Sequence, residues 1–262
     1  MSVTAAAPER VKASCAELWS HPGVRILVGD QLHPGGSELT DRALDLLAVP
    51  FGERILDLGC GPGGTAARAA ARGHRVVALD RSLSLAAEAR TTSGQGALAA
   101  DAECLPFPSR CMDGAVAECV ISALPDKDAA IREVARVLRP GGRFVLADVT
   151  RDGPLPAELD TLVAWLACAG GALGAERYAA LMGDAGLEVV AIESHGDALV
   201  DLLDQVRRRL ALFQAAVTTG VVDGGEVGLP GELLELGQRL LTVAREAAGD
   251  GALSYALIAA RA

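Results

Sequence analysis

The stretch ILDLGCGPGG, at residues 55–64, decides which fold the sequence predicts. Its first part is short and mostly apolar, which is typical of a buried parallel strand. Gly59, Gly61 and Gly63 follow, and glycine permits tight turns and lets a ligand approach the backbone closely. An alanine-rich helical pattern comes next. The stretch therefore predicts a strand, a ligand-binding loop and a helix in succession.

Strand and helix patterns alternate along the rest of the chain. Short, mostly apolar runs predict strands at 54–58, 75–80, 97–101, 114–121, 143–149, 187–193 and 254–260. Helical spacing predicts helices between most of these strands. The predicted fold class is therefore α/β: a doubly wound, mostly parallel, seven-stranded Rossmann-like sheet with a helical insertion before the last strand.

The same patterns divide the chain into four segments. Residues 1–36 are expected to form an N-terminal cap, with a loose stretch up to about Lys12. Residues 37–195 form the ligand-binding core, and residues 250–262 supply its last strand. Residues 196–249 carry two helical patterns and form the insertion. We expect this insertion to cover the substrate or to form the surface of a homodimer.

Three acidic residues follow or end the first three predicted strands. Asp57 precedes the glycine turn, Asp80 ends the second strand and Asp101 ends the third. In an open α/β sheet, ligands bind at the carboxyl ends of the strands. The Asp57 carboxylate suits a cation better than a pyrophosphate, and Pro62 removes a backbone N–H that a diphosphate loop would use. Asp80 can accept both ribose hydroxyls, a role also known in nicotinamide enzymes, which remain an alternative.

Two segments carry a resemblance to a known superfamily. Residues 55–64 resemble the glycine motif of class I S-adenosylmethionine (SAM)-dependent methyltransferases, and RVLRPGGR at 136–143 is similar to the superfamily's signature before the fifth strand. The resemblance covers roughly residues 54–149. It implies that the cofactor is SAM, with the glycine loop on the methionine part, Asp80 on the ribose and Asp101 with Ala102 on the adenine. The predicted cofactor-binding residues are Asp57, Gly59, Cys60, Gly61, Gly63, Asp80, Arg81, Asp101, Ala102 and Glu118, and no metal is predicted.

A second resemblance concerns the substrate. ECVISALPDK at 118–127 and CAGGAL at 168–173 are similar to stretches of arsenite methyltransferases. The resemblance implies that Cys168 is a ligand of the soft arsenic centre, which a thiolate suits. The chain lacks that family's cysteine after the glycine motif and its C-terminal cysteine. Cys15 or Cys119 could complete the site only if the fold brings them close to Cys168.

The predicted function is methyl transfer to a small-molecule acceptor, and the acceptor's class stays open. It is a soft nucleophile such as arsenite or a thiol, or else a quinone-like or other small metabolite methylated at carbon or oxygen. A protic acceptor needs a base, and Glu118, at the end of the fourth strand, is the predicted base. His33 and His195 are further candidates for a base or a ligand. A SAM-binding regulatory protein without turnover is the remaining alternative.

Composition limits the partners and the compartment. The formal net charge of −10 disfavours nucleic-acid phosphates, so no nucleic-acid partner is expected. No apolar run approaches the roughly 18 residues that span a bilayer, so no membrane partner is expected. The six cysteines show no CxxC pair and the N-terminus lacks the apolar core of a signal peptide. A cytoplasmic location is therefore predicted.

Overall fold

The computed structural model describes residues 8–29, 33–161, 163–164, 167–223 and 231–262. The strands are β1 (Arg54–Leu58), β2 (Arg75–Asp80), β3 (Gly96–Ala99), β4 (Met112–Glu118), β5 (Leu138–Arg151), β6 (Glu188–Ser194) and β7 (Leu253–Arg261). The α-helices are α1 (Pro8–Ser20), α2 (Pro22–Val28), α3 (Gly36–Leu47), α4 (Gly64–Ala71), α5 (Leu83–Ser93), α6 (Lys127–Val137), α7 (Ala175–Asp184), α8 (Gly196–Thr218) and α9 (Gly231–Gly249). Short 3-10 turns span Ile121–Ala123 and Ala157–Leu159.

The strands form one sheet in the order β3-β2-β1-β4-β5-β7-β6. The pairs among β1 to β5 are parallel, whereas β7 runs antiparallel to both β5 and β6. The predicted α/β, mostly parallel sheet is confirmed. Because β1 lies between β2 and β4, the strand order reverses at β1. The carboxyl ends of β1, β2 and β4 therefore meet at one edge, which is where ligands bind in such sheets.

The central strands of the sheet are buried on both faces, which explains why they read as nearly continuous apolar runs, whereas β6 at the edge alternates exposed and half-buried residues. Successive residues of β1 point to opposite faces. Ile55 belongs to one buried cluster and Leu56 to the other, and both have no exposed surface. The rigid core thus fixes the position of Asp57, the next residue of the strand.

The N-terminal part differs from the expectation of a loose stretch up to Lys12. Helix α1 begins at Pro8, so that expectation is wrong from residue 8 onward. The reason is a long-range contact: the Lys12 side chain is only 6% exposed, and its ammonium lies 2.7 Å from Asp101 and 2.5 Å from Glu103. The sequence also predicts a helix at residues 159–167, and parts of that range, like residues 1–7, lie outside the described residues.

Helices α8 and α9 lie between β6 and β7, where the helical insertion is predicted. They pack on β7, and Leu199, Ala247 and Ala248 join the same buried cluster as Ile55. The two helices are therefore continuous with the core, and the homodimer surface stays a prediction. Among the described helices, none has both the length and the apolar character needed to cross a bilayer.

Candidate active site

A cavity of about 290 Å³ opens at the carboxyl ends of β1, β2 and β4. Its walls come from the glycine loop, from the strand ends and from helix α1, and its described lining includes no residue of α8 or α9. Of the residues predicted to bind the cofactor, the lining contains Asp57, Gly59, Cys60, Gly61, Asp80, Arg81, Asp101, Ala102 and Glu118, but not Gly63. Nine of the ten predicted residues thus share one cavity.

The glycine loop can take its shape only because two positions carry no side chain. Gly59 has φ +67°, and a Cβ there would lie 2.3 Å from a methyl carbon of Val120. Gly63 has φ +94°, and a Cβ there would lie 2.6 Å from the Ala89 Cα atom. Gly63 therefore turns the chain into α4 against α5 and serves the loop's structure, which explains its absence from the cavity wall.

Asp80 shapes the same loop, a role that sequence reasoning missed. One carboxylate oxygen accepts the Gly61 N–H at 3.0 Å, and the other accepts the Ser82 N–H at 2.8 Å. Burial raises the pKa of Asp80 above its ordinary value, although these backbone hydrogen bonds oppose the rise. Asp80 thus ties the loop after β1 to the end of β2 while still facing the cavity.

Asp57 is a buried carboxylate with an unused oxygen. It is 3% exposed, and its Oδ2 atom has no hydrogen-bond partner among the described residues. Burial, and then the charges of Glu118 and Asp80, raise the pKa of Asp57 well above its ordinary value. Buried polar groups are normally satisfied, so this oxygen indicates a ligand that brings a donor or a positive charge.

Asp101 is engaged by α1 and by its own loop. Its Oδ2 atom lies 2.7 Å from the Lys12 ammonium and 2.8 Å from the Arg81 guanidinium, and its Oδ1 atom accepts the Glu103 N–H at 2.9 Å. Burial acts in the opposite direction, but the Lys12 and Glu103 hydrogen bonds leave the pKa of Asp101 below its ordinary value. If Asp101 binds the adenine as predicted, it does so with a carboxylate that already pairs with Lys12 and Arg81.

Glu118 lies at the far wall of the cavity, between α3 and α4. Its carboxylate accepts hydrogen bonds from the hydroxyls of Thr40, at 3.1 Å, and of Thr65. The His33 Nδ1 atom is 3.8 Å from the Glu118 Oε1 atom, and the two side chains are only 12% and 5% exposed. The structure thus brings the predicted base and one of the two candidate histidines together.

The other candidate histidine is elsewhere. The His195 Nε2 atom lies 3.5 Å from a Glu193 oxygen, and His195 does not line the cavity. The sequence distinguished His33 only by the Pro-Gly-Gly run that follows it and by the helix that begins there. Thr40 and Thr65, which donate hydrogen bonds to Glu118, lie in no recognisable sequence motif, and sequence reasoning missed both.

The comparisons with known proteins agree with this architecture. The family model described as "Methyltransferase domain" matches residues 56–146. The chain is 32% identical over 234 residues to the O-methyltransferase cnsE of Penicillium expansum, a match that covers 86% of this chain and 78% of that one. The chain belongs to the class I SAM-dependent methyltransferases.

Two further matches show how widely this methyltransferase shares its fold and its motifs. The [4+2]-cyclase SpnF has a TM-score of 0.78 at 23% identity, with 98% of this chain and 97% of that one covered, which shows the common fold. An arsenite methyltransferase of Halobacterium salinarum is 30% identical over 163 residues, which cover 55% of this chain and 40% of that protein.

The charges that line the cavity of the methyltransferase suit SAM. SAM carries an ammonium and a sulfonium, and the cavity presents the unpartnered Asp57 oxygen together with the Glu118 and Asp80 carboxylates. The glycine loop leaves its backbone bare at Gly59 and Gly61. A dinucleotide would instead bring the negative charge of a pyrophosphate to these carboxylates, which the Coulomb repulsion disfavours.

The cysteine with the predicted substrate role lies behind the cavity wall. Cys168 is 3% exposed and does not line the cavity, but its thiol donates to the Cys119 carbonyl at 3.5 Å. The sulfur atoms of Cys119 and Cys168 and a carboxylate oxygen of Asp148 lie within 4.8 Å of one another. Cys119 does line the cavity. Of the two partners considered for Cys168, Cys119 shares this cluster, and Cys15 lines the same cavity.

Both of these cysteines have a left-handed backbone, with φ +54° at Cys119 and +68° at Cys168. The hydrogen bond with Cys168, and then burial, raise the pKa of Cys119 well above its ordinary value. Asp148 already accepts hydrogen bonds from Ser122 and from the Val149 N–H, so its oxygens serve the local turn. The cluster is therefore better described as a pair of neighbouring thiols than as a cation site.

Proposed function

We propose that this methyltransferase transfers the methyl group of SAM to a hydroxyl group of a small, largely apolar organic acceptor. The observation that carries the proposal is the Glu118 carboxylate, which is nearly buried at the cavity wall beside His33 and Thr40. A cavity that is mainly apolar with a few converging polar groups is typical of a small-molecule site. The O-methyltransferase relative described above supports the same acceptor atom.

In this proposal the cofactor side of the cavity binds SAM through three sets of groups. The backbone of the glycine loop, from Gly59 to Gly61, and the Asp57 carboxylate bind the methionine part. Asp80 binds the ribose, and the segment of Asp101 and Ala102, beside Arg81, forms the adenine side. SAM supplies an activated methyl group when it is bound. The chain's residues contribute orientation and the exclusion of water, and positioning can account for on the order of 7–11 kcal/mol of barrier lowering.

The acceptor side has to remove a proton, because a hydroxyl is a much weaker nucleophile than its anion. Glu118 and His33 are the titratable groups at this wall. The Thr40 hydroxyl, on α3, contacts both of them: it donates to the Glu118 carboxylate and lies 3.3 Å from the His33 Nε2 atom. General-base assistance of this kind is worth roughly 10²–10⁴-fold in rate. Glu118 therefore takes the proton of the acceptor hydroxyl in this proposal, and His33 lies beside it.

The experiment is a screen of the purified protein with labelled SAM against phenols, hydroxyquinones, thiols and arsenite. We expect turnover with a hydroxyl acceptor, and Glu118→Gln should reduce it by roughly 10²–10⁴-fold. Glu188→Gln, at the outer edge of the sheet, is the matched control and should retain activity. SAM binding without turnover on any acceptor would instead favour a regulatory protein, and full activity of Glu118→Gln would remove Glu118 from the mechanism.

The thiol pair supports a second candidate, a soft acceptor such as arsenite. Cys119 and Cys168 provide two sulfur atoms within 4.8 Å, and a trivalent arsenic centre prefers sulfur ligands. For this candidate, Cys119→Ser and Cys168→Ser should each abolish methylation of arsenite, while Cys104→Ser, at an exposed cysteine, should not. Retained arsenite turnover in either buried variant would exclude the pair from the reaction.

A further inference from the structure

The cavity contains more carboxyl groups than its own cations pair with. Its lining includes the carboxylates of Asp57, Asp80 and Glu118, which all lie near the strand ends. The basic residues of the lining are paired with other acids: Lys12 with Asp101 and Glu103, Arg81 with Asp101 and Glu9, and Arg68 with Asp41. A ligand that fills this cavity therefore has to bring positive charge with it.

Asp57 and Glu118 occupy different places in this arrangement. Asp57 lies within β1, directly before the glycine loop, and one of its oxygens is unpartnered among the described residues. The Glu118 carboxylate accepts hydrogen bonds from the hydroxyl of Thr65, in the first turn of α4, and from the hydroxyl of Thr40 on α3. Glu118 thus lies where the cofactor wall meets the acceptor wall, which is where the transferable methyl group has to be presented.

The side chains in contact with Glu118 carry no fixed positive charge, and Arg68, whose pKa is raised by Asp41 and, more weakly, by Glu118, is itself paired with Asp41. The contacting groups are the neutral hydroxyls of Thr40 and Thr65 and the ring of His33, with its Nδ1 atom 3.8 Å away. Hydroxyls satisfy hydrogen-bonding capacity but do not neutralise a carboxylate that is 5% exposed. A cationic ligand atom at this wall would gain a charge interaction in a poorly solvated site, where such interactions are strongest.

We propose that the Glu118 charge makes the site discriminate between SAM and its product S-adenosylhomocysteine (SAH). The proposal rests on SAM binding in this cavity, as proposed above. Glu118 interacts with the sulfonium, whose positive charge disappears when the methyl group leaves and the sulfur becomes neutral. Asp57 interacts with the ammonium, which both molecules carry. Glu118 therefore favours SAM over SAH and helps to release the product, whereas Asp57 acts equally on both.

The test compares dissociation constants of SAM, SAH and sinefungin, an unreactive SAM analogue with an amine in place of the sulfonium, by calorimetry. The wild type should bind SAM and sinefungin more tightly than SAH, by on the order of tenfold. In Glu118→Gln this ratio should fall close to one, mainly because SAM and sinefungin bind more weakly. Asp57→Asn is the matched control: it should weaken all three ligands by similar factors and leave the ratio unchanged. Glu118→Asp, which keeps the charge, should retain most of the preference.

The outcomes separate this proposal from the proposed function. An unchanged SAM-to-SAH ratio in a Glu118→Gln protein that still unfolds cooperatively would overturn the proposal while SAM binding itself stands. An equal loss of affinity for SAM and SAH in Glu118→Gln would also overturn the proposal, because Glu118 would then contact a part that both molecules share. Failure of the wild type to bind either molecule would instead refute the cofactor site and with it both proposals.

Discussion

Replacing Asp57 by asparagine should stabilise the cofactor-free protein and weaken SAM binding at the same time. The carboxylate is 3% exposed, lies near the charges of Glu118 and Asp80, and keeps one oxygen unpartnered. Asparagine has nearly the same shape but no charge. The substitution therefore removes an unfavourable buried charge from the empty cavity and removes the attraction that the cofactor's ammonium would feel.

The magnitude follows from the cost of an unsatisfied buried group, about 1–3 kcal/mol. Asparagine retains an unsatisfied amide, so a net gain of about 1 kcal/mol is expected, or roughly 2–4 °C in Tm for a chain of this size. Because the folded-state pKa of Asp57 is raised, its ionisation destabilises the fold above the unfolded-state pKa of roughly 4, increasingly so as the pH rises. The gain should be absent near pH 4 and clear at pH 7. SAM should bind roughly tenfold or more weakly.

The assay is thermal unfolding of the cofactor-free proteins at pH 4 and pH 7, together with a calorimetric SAM titration. Asp113→Asn is the contrasting control, because Asp113 accepts the Arg54 N–H at 2.9 Å and pairs with Arg139. Asp113→Asn should lower the Tm and leave SAM binding unchanged. A lower Tm for Asp57→Asn at pH 7 would show that the Asp57 carboxylate is not an unfavourable buried charge. Unchanged SAM affinity would show that Asp57 does not bind the cationic part of the cofactor.

Three further changes test other parts of the site. Asp80→Ala should weaken SAM binding by roughly tenfold or more in calorimetry, since it removes a hydrogen-bond acceptor from the cavity and the hydrogen bond that holds the Gly61 N–H. Unaltered affinity would refute the ribose assignment. Gly59→Val should lower the Tm and abolish SAM binding, because its Cβ would lie 2.3 Å from Val120, and a wild-type titration curve would contradict this account of the loop. Lys12→Ala should expose α1 to limited proteolysis, since the buried ammonium pairs with Asp101, and wild-type protection would show that other contacts hold the helix.

The sequence predicts the sheet and the glycine loop well because their signals are local. The β1 pattern and the three glycines are contiguous at residues 54–63, and Asp80 and Asp101 each stand at the end of a predicted strand. The bounds of β1 and β2 match the predicted ranges, and nine of the ten predicted cofactor residues line one cavity. Whether those residues bind SAM stays a prediction.

The parts that the sequence did not predict depend on distant partners. Helix α1 is held by Lys12 and Asp101, which are 89 residues apart. The pairing of Cys119 with Cys168 depends on two left-handed residues that lie 49 positions apart, a conformation that no composition signal marks at cysteine. The Pro-Gly-Gly run after His33 marks a loop before a helix but names no partner, and the packing of α3 against β4 brings His33 to Glu118.

The account depends most on one claim, that buried carboxylates with raised pKa values bind a cationic cofactor. Calorimetric titration of SAM between pH 5 and pH 7, in buffers that differ in their heat of ionisation, tests it directly. The account predicts that binding releases protons and tightens as the pH rises, by at most tenfold per pH unit for each proton released, because a cation beside Asp57 lowers the raised pKa of that buried carboxyl. Proton uptake, or an affinity that falls over this range, would contradict it.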